Sequence, residues 1–297
     1  RLHGCDRDSH PNPAIYSCGA ISVILGIGVF DGIHRGHQRI TNQCDMIMTF
    51  LPHPRTVLTG KPVKRLTTWQ EMQHLYPKSM AIDFHCVMTK TPVEFFTDSI
   101  LPFNPTTLCI GEDFRFGHNR AGNSDTLAQL GKAHDIQVIA VPLLHDTGQP
   151  IKSGRIRGLL ESGAAHFNEA IALLGHPYSL SGRVIRGDQR GSELGFPTAN
   201  ILLPADKLAL PAGVYRGYVP DLKKQALIYS GTAPTLHPDR PIYTEVHILD
   251  YKDDLYDQFL LVEITAFLRH EEKFETLDAL QAQLNQDKAR VVSDITF

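Results

Sequence analysis

The sequence predicts an α/β unit followed by an all-β unit, and three observations carry that expectation. The first half alternates continuous apolar, β-branched runs with helix-like segments, as a parallel sheet covered on both faces requires. After Ile151 the strand-like runs follow one another through Gly, Pro and Asp turns with little helical periodicity. That texture reads as a small antiparallel barrel or sandwich. Residues 277–292 then close the chain with apolar positions at helical spacing. A length of 297 residues suits about two domains. The boundary is set at His176-Pro177, giving residues 1–176 and 177–297.

In chain order, residues 21–29 (ISVILGIGV) are an apolar run that enters a glycine-containing turn, and 45–50 (DMIMTF) is a second strand. Residues 84–88, 107–110 and 137–143 are short apolar runs bounded by turn residues. Helices are expected at 93–101 and 124–134, the latter capped by Ser124. Residues 158–174 read as one or two helices interrupted at Gly163. Strands follow at 178–184, 213–219, 225–229, 242–250 and 259–268. Thr276 is the expected N-cap of the closing helix.

Composition limits the function. Lys+Arg of 29 against Asp+Glu of 32 gives a net charge of -3. That argues against a broadly basic nucleic-acid footprint. No apolar run approaches the ~20 residues that span a bilayer, so no membrane partner is expected. The polar start, residues 1–13, has no signal-peptide core. The five cysteines, at 5, 18, 44, 86 and 109, are odd in number and contain no CxxC pair. They read as reduced thiols of a cytoplasmic protein.

The first chemical constellation is GVFDGIHRGH at 28–37. An apolar strand ends there, and a turn delivers His34 and His37 toward a helix N-terminus, where backbone N–H groups favour phosphate. The two imidazoles could donate to phosphoryl oxygens during attack at an α-phosphate. Two other readings stay open: a shared metal site, for which no third ligand is evident, and two surface histidines beside a turn. The motif has company. TFLPHP (49–54), GEDFRFGHNRAG (111–122) and SGRIR (153–157) all lie just beyond expected strands or open a helix. In an open parallel sheet, ligands bind at that carboxyl edge.

The second constellation is GRVIRGDQRGSELGFPTAN at 182–200. Gly182, Gly187, Gly191 and Gly195 permit tight turns and close backbone approach. Thr198 and Asn200 offer hard oxygen donors of the kind that suit Mg²⁺ carried with phosphates. Downstream, YTEVHILDY places Glu245, His247 and Leu249 on one strand face. Glu245 is either half of a solvated pair with His247 or a general base for a hydroxyl.

Taken in order, GxFDGxHxGH, TFxPHP, GxDFRFGxxRAG and SxRIR resemble the FMN adenylyltransferase module of bacterial bifunctional FAD synthetases. GFPTAN, PxGVY (211–215), GTxPT (231–235), EVHxLD (245–250), DLY (254–256) and LRxExKFxxLDAL (268–280) are similar to the riboflavin kinase module of the same family. The resemblance covers residues 20–285. It implies a Rossmann-like nucleotidyltransferase domain, then a six-stranded antiparallel barrel with a C-terminal helix. It implies two reactions, phosphorylation of riboflavin to FMN and adenylylation of FMN to FAD, with ATP and Mg²⁺. By resemblance, His34 and His37 contact ATP phosphates, with Gly28, Phe30 and Asp31 in the same loop, and Ser153 and Arg157 add to that contact. Phe50, His53, Asp113, Phe114, Arg115 and Phe116 lie on the flavin side. Gly187, Thr198 and Asn200 hold Mg-ATP in the kinase, Thr198 and Asn200 as metal ligands, and Glu245 is the catalytic base on the ribityl 5′-hydroxyl.

Departures from the family pattern fall mostly in the first half. Only eleven residues, 38–48, separate His37 from Thr49. A parallel crossover needs about 10–12 residues besides its strands, so the helix there must shrink to about two turns or be lost. The family's SSTxIR has Lys152 and Gly154 in place of a Ser and the Thr. In the barrel, Ser192 and Glu193 replace a family Arg, with Arg190 nearby. Tyr229 stands for an Asn, and Asp257 for a Gly. An alternative is therefore a riboflavin kinase whose adenylyltransferase domain is only structural. A third reading is a flavin- or nucleotide-binding protein without turnover.

Overall fold

The computed structural model describes residues 22–187, 195–231 and 243–293. Cys5, Cys18, Arg190 to Glu193 and the GTxPT stretch beyond Gly231 lie outside the described residues. The chain divides into two units. One holds the residues through Val63 together with Met72–Ile151, the other Lys64–Glu71 together with the chain from Lys152. This differs from a single cut at His176-Pro177.

The first unit is built on β1 (Ile24–Ile27), β2 (Met46–Leu51), β3 (Ser79–Asp83), β4 (Thr107–Gly111) and β5 (Gln137–Val141). They form one parallel sheet in the order β3-β2-β1-β4-β5. Leu25, Ile27, Met48, Leu108 and Ile110 are buried in one apolar core. The strand order reverses between β1 and β4, which opens a crevice at their carboxyl ends.

The short connection after His37 keeps its helix. α1 (Arg35–Thr41) has seven residues, about two turns. Local bonds close it onto the sheet: Asp45 N donates to Ile24 O at 2.9 Å, and Ile24 N donates to the Asp45 carboxylate at 2.8 Å. The Tyr76 hydroxyl donates to Cys44 O at 2.6 Å and Thr41 O at 3.2 Å. A crossover of minimal length survives because side chains satisfy the turn that a longer helix would span.

Two local expectations are corrected, and the helix expected at 93–101 is found with a mixed geometry. Residues 84–88 are not a strand. After α2 (Pro54–Thr59) and α3 (Trp69–Leu75), the strand is β3, and α4 (Phe84–Val87) follows it. Asp83 ends β3 by accepting from His85 N at 2.9 Å, a cap that starts a helix. The apolar stretch 93–101 is α5 (Pro92–Phe95) continued by a π-helical turn, Phe96–Ile100. α6 (Ser124–Lys132) is capped by Asn123, whose Oδ1 accepts from Thr126 N at 2.9 Å, not by Ser124. The thiols differ from expectation as well. Cys44 and Cys109 are free, but Cys86 is disulfide-bonded, a pairing that tertiary proximity decides and spacing along the chain does not show.

A two-stranded ribbon, β6 (His145–Asp146) and β7 (Gln149–Pro150), precedes the second unit. That unit begins with α7 (Ser153–Glu161) and α8 (Phe167–Leu174), broken at Gly163, whose φ is 125°. Phe167 is fully buried and meets Tyr215 edge-on at 5.1 Å, which is why these helices go with the strands that follow. β8 (Tyr178–Ile185), β9 (Ala199–Leu202), β10 (Gly213–Val219), β11 (Lys224–Gly231), β12 (Tyr243–Ile248) and β13 (Phe259–Arg269) close a barrel in the order β10-β11-β12-β9-β8-β13. All its pairings are antiparallel. β9 begins inside the FPTAN motif, at Ala199 and Asn200, which is why no separate strand shows there in the sequence. α9 (Leu277–Ser293) starts at Thr276, whose hydroxyl accepts from Ala279 N at 3.2 Å. Its Val291 packs with Leu227 and Leu249, and its Asp287 binds the Arg269 guanidinium at 2.8 Å.

Candidate functional site

In the first unit, a cavity of about 830 Å³ opens where the loops after β1, β2 and β4 converge. The loop after β1 is strained into place. Phe30 has φ 51° and Ile33 φ 36°, a region that costs a non-glycine residue energy. The loop closes through Ile33 N donating to Phe30 O at 3.0 Å. Phe30 is buried beneath the His37 ring, edge-on at 5.4 Å. His34 caps α1, its Nδ1 accepting from His37 N at 3.3 Å. The two imidazoles stack at 3.6 Å. Burial, and then the neighbouring His34, hold the His37 pKa well below the ordinary histidine range, so His37 is a neutral imidazole. Its Nδ1 is buried and has no hydrogen-bond partner. A neutral ring with an unmet nitrogen on a cavity wall is poised for a ligand atom.

Gly28, His37, Phe50, His53, Asp113, Phe114 and Arg115 all line this cavity. Asp31 and His34 are buried and are not among its lining residues. Phe116 packs into the core against Phe95 at 5.6 Å and stacks parallel to Phe114 at the same distance. It supports the wall from behind. His53 caps α2, its Nδ1 accepting from Arg55 N at 3.1 Å. Two cations that the sequence reading did not single out, Arg55 and Arg120, also face the cavity. Both were adjacent to or inside quoted motifs. With Arg115 they make the wall suited to phosphate.

Ser153 and Arg157 belong to the second unit, on the first turns of α7. Lys152 occupies the N-cap without a side-chain cap bond. Arg157 Nε donates to Lys64 O at 2.7 Å. Gly154 faces open space, with nothing within 4 Å of a Cβ built there.

In the barrel, Glu245 on β12 is flanked by Asn200 of β9 and by Tyr229 of β11. Directly opposed residues project to one face, so the three form a row across three strands. The Tyr229 hydroxyl is engaged by Glu271. His247 is buried against Phe196, and its Nδ1 donates to Pro197 O at 2.8 Å. Burial lowers its pKa, so His247 is not the solvated half of a pair, while Glu245 is half-buried. Thr198 lines a cavity of about 230 Å³ with Val184, Val246, Asp253 and Asp254. Asn200 Oδ1 is buried without a hydrogen-bond partner. Gly187 stands against the Asn200 amide so closely that any side chain there would collide. Thr198, Asp253 and Asp254 bring hard oxygen donors of the kind that fit a hard cation to the cavity that Thr198 lines, and Asn200 is not among its lining residues. Among the described residues, no group of three or more His, Cys, Asp or Glu is gathered to hold a metal.

Comparison with known proteins agrees with both halves. The FAD synthetase family matches residues 20–155 and the riboflavin kinase family residues 174–294. A bifunctional riboflavin kinase/FMN adenylyltransferase of Escherichia coli (strain K12) is 34% identical over 290 residues, 89% of this chain and 90% of that protein. One from Pseudomonas fluorescens is 32% identical over 286 residues, 90% of this chain and 91% of that protein. Among solved structures, one described as a macrolide-efflux protein from Streptococcus pneumoniae superposes with a TM-score of 0.76 at 26% identity, over 93% of this chain and 95% of that one. Its fold is shared along nearly the whole length. No helix among the described residues is long and apolar enough to cross a membrane. Both family domains are present in one chain, and it belongs to the bifunctional riboflavin kinase/FMN adenylyltransferase family.

Proposed function

We propose that the chain makes FAD from riboflavin in two ATP-dependent steps, with phosphorylation assigned to residues 177–297 and adenylylation to residues 1–176. The observation that carries the kinase half is the orphaned Asn200 Oδ1 in register with Glu245. Glu245 takes the proton of the ribityl 5′-hydroxyl as that oxygen attacks the γ-phosphorus of ATP, giving FMN and ADP. Thr198 and Asn200 would hold Mg²⁺, which supplies neutralisation of the triphosphate charge. Gly187 lets the backbone approach the phosphates. In the other half, the FMN phosphate attacks the α-phosphorus of a second ATP, and pyrophosphate leaves. His37 and His34 donate to the phosphoryl oxygens, supported by Gly28, Phe30 and Asp31. Ser153 and Arg157 hold the departing phosphates. Phe50, His53, Asp113, Phe114 and Arg115 form the flavin side, with Phe116 behind them. The substrates are small molecules, and the proposed setting is the cytoplasm.

The test is an incubation of the protein with riboflavin, ATP and Mg²⁺, followed by chromatographic separation of flavins. FAD is the expected product. FMN without FAD would favour the kinase-only alternative, and no product at all would sink the proposal. The preserved two-turn α1 speaks against a decayed first half, since it keeps His37 on the cavity wall.

Gly154 is where a phosphate-facing hydroxyl is missing, and the open space around it admits one. Gly154→Thr is expected to raise the rate of FAD formation from FMN about 3–10-fold, a modest fraction of what a transition-state hydrogen bond is worth. Steady-state rates with FMN as substrate check it. An unchanged rate would mean that α7 does not reach the phosphates.

A further inference from the structure

Two free thiols meet beneath α1, outside the sites described above. Gly26 on β1 is the register partner of Cys109 on β4. Neighbours across a parallel pair point to the same face, so Cys109 projects beside the slot that Gly26 leaves without a side chain. Cys44, in the turn after α1, fills that slot. A Cβ built on Gly26 would lie 2.9 Å from Cys44 Sγ. The Cys44 thiol donates to Ile40 O at 3.1 Å and also bonds the Cys109 thiol. Their mutual bond pushes the Cys44 thiol up and draws the Cys109 thiol down. Cys109 is fully buried, while Cys44 is partly exposed.

We propose that Cys44 and Cys109 form an oxidisable dithiol, a modification site for a hydroperoxide that joins α1 to β4. The ionised sulfur of the pair attacks the peroxide. The O–O bond breaks, that sulfur becomes a sulfenic acid, and one water leaves when the oxidant is hydrogen peroxide. The second sulfur then attacks the first. The S–S bond forms, the S–O bond breaks, and a second water leaves. Two thiols lose two electrons and two protons, and the peroxide takes up both. The bond lies one helical turn beyond Ile40, which lines the larger cavity. It would make the contact between α1 and the sheet covalent.

The full-length protein is treated with hydrogen peroxide, alkylated, digested with trypsin and analysed by mass spectrometry. Cys44 falls in peptide 40–55, Cys109 in 91–115 and Cys86 in 79–90, so each pairing has its own mass. The expected result is a linked 40–55/91–115 species, lighter than the sum of its parts by two hydrogens and lost on treatment with a dithiol reductant. Cys44→Ser, at the exposed end of the pair, should abolish it. The unmodified protein gives the decisive reading without any variant. Recovery of 40–55 and 91–115 as separate alkylated or over-oxidised peptides overturns the proposal, as does a link from either one to 79–90. None of these outcomes depends on whether the chain makes FAD.

Discussion

Glu245→Gln is expected to lower riboflavin phosphorylation by about 10²–10⁴-fold, the range that a positioned general base supplies. The same variant should leave FAD formation from added FMN unchanged. Gln keeps the length and the hydrogen-bonding shape of the side chain but cannot take a proton from the ribityl hydroxyl. Its neighbours make the substitution clean, because Asn200 and Tyr229 flank Glu245 through the backbone ladders of β9 and β11, which Gln preserves. Product ratios from riboflavin and from FMN, measured on the same preparation, separate the two halves. Equal loss of both activities would mean that Glu245 supports the fold. Full retention of phosphorylation would put the base elsewhere.

Lys207→Met is expected to destabilise the second unit by about 3–5 kcal/mol, the cost of leaving one partner of a buried ion pair alone. Lys207 and Glu71 are both fully buried, with Nζ 2.7 Å from Oε2. Lys207 also donates to Leu66 O at 2.6 Å and lies over the Tyr178 ring at 4.2 Å. Glu71 accepts from Ser181 Oγ at 2.9 Å and from Thr68 N at 2.8 Å. The last of these, with Glu71 N donating to Thr68 Oγ1 at 3.2 Å, is a capping box at the start of α3. Met fills the volume of Lys but strands a carboxylate without its counter-charge. Glu71→Gln in the same chain should recover part of the loss, because it removes the stranded charge. Thermal midpoints of the single and double variants test this. At about 2–4 °C per kcal/mol for a unit of this size, the single variant should fall by about 10 °C. A shift of a degree or two would show that the pair contributes little.

Thr68-x-x-Glu71 is a capping signature that the sequence displays openly, yet its larger role was not legible there. The partner lies 136 residues along the chain, and no local pattern joins Glu71 to Lys207. Segment Lys64–Glu71 therefore belongs with the barrel, although it interrupts the residues of the parallel sheet. A cut at His176-Pro177 follows composition and misses this, because composition does not register which core a short segment enters.

Much else followed from local sequence. Period and β-branching specify β1, β2 and β4, since a strand buried on both faces must be continuously apolar, and β5 is the apolar run at the half-exposed sheet edge. The eleven-residue connection limited α1 to about two turns or none, and the structure keeps a helix of seven residues. The motifs that place His37, Phe114, Thr198, Asn200 and Glu245 are contiguous strings, and contiguity is what a single chain displays. The convergence of those strings was left to tertiary structure. Neutral His37 with its unmet Nδ1, the Asn200–Glu245–Tyr229 row, and the Cys44–Cys109 contact over Gly26 each depend on strand order and register. Those are set by how whole faces pack, and burial, which creates both the orphaned polar atoms and the lowered histidine pKa, exists only once the faces have closed.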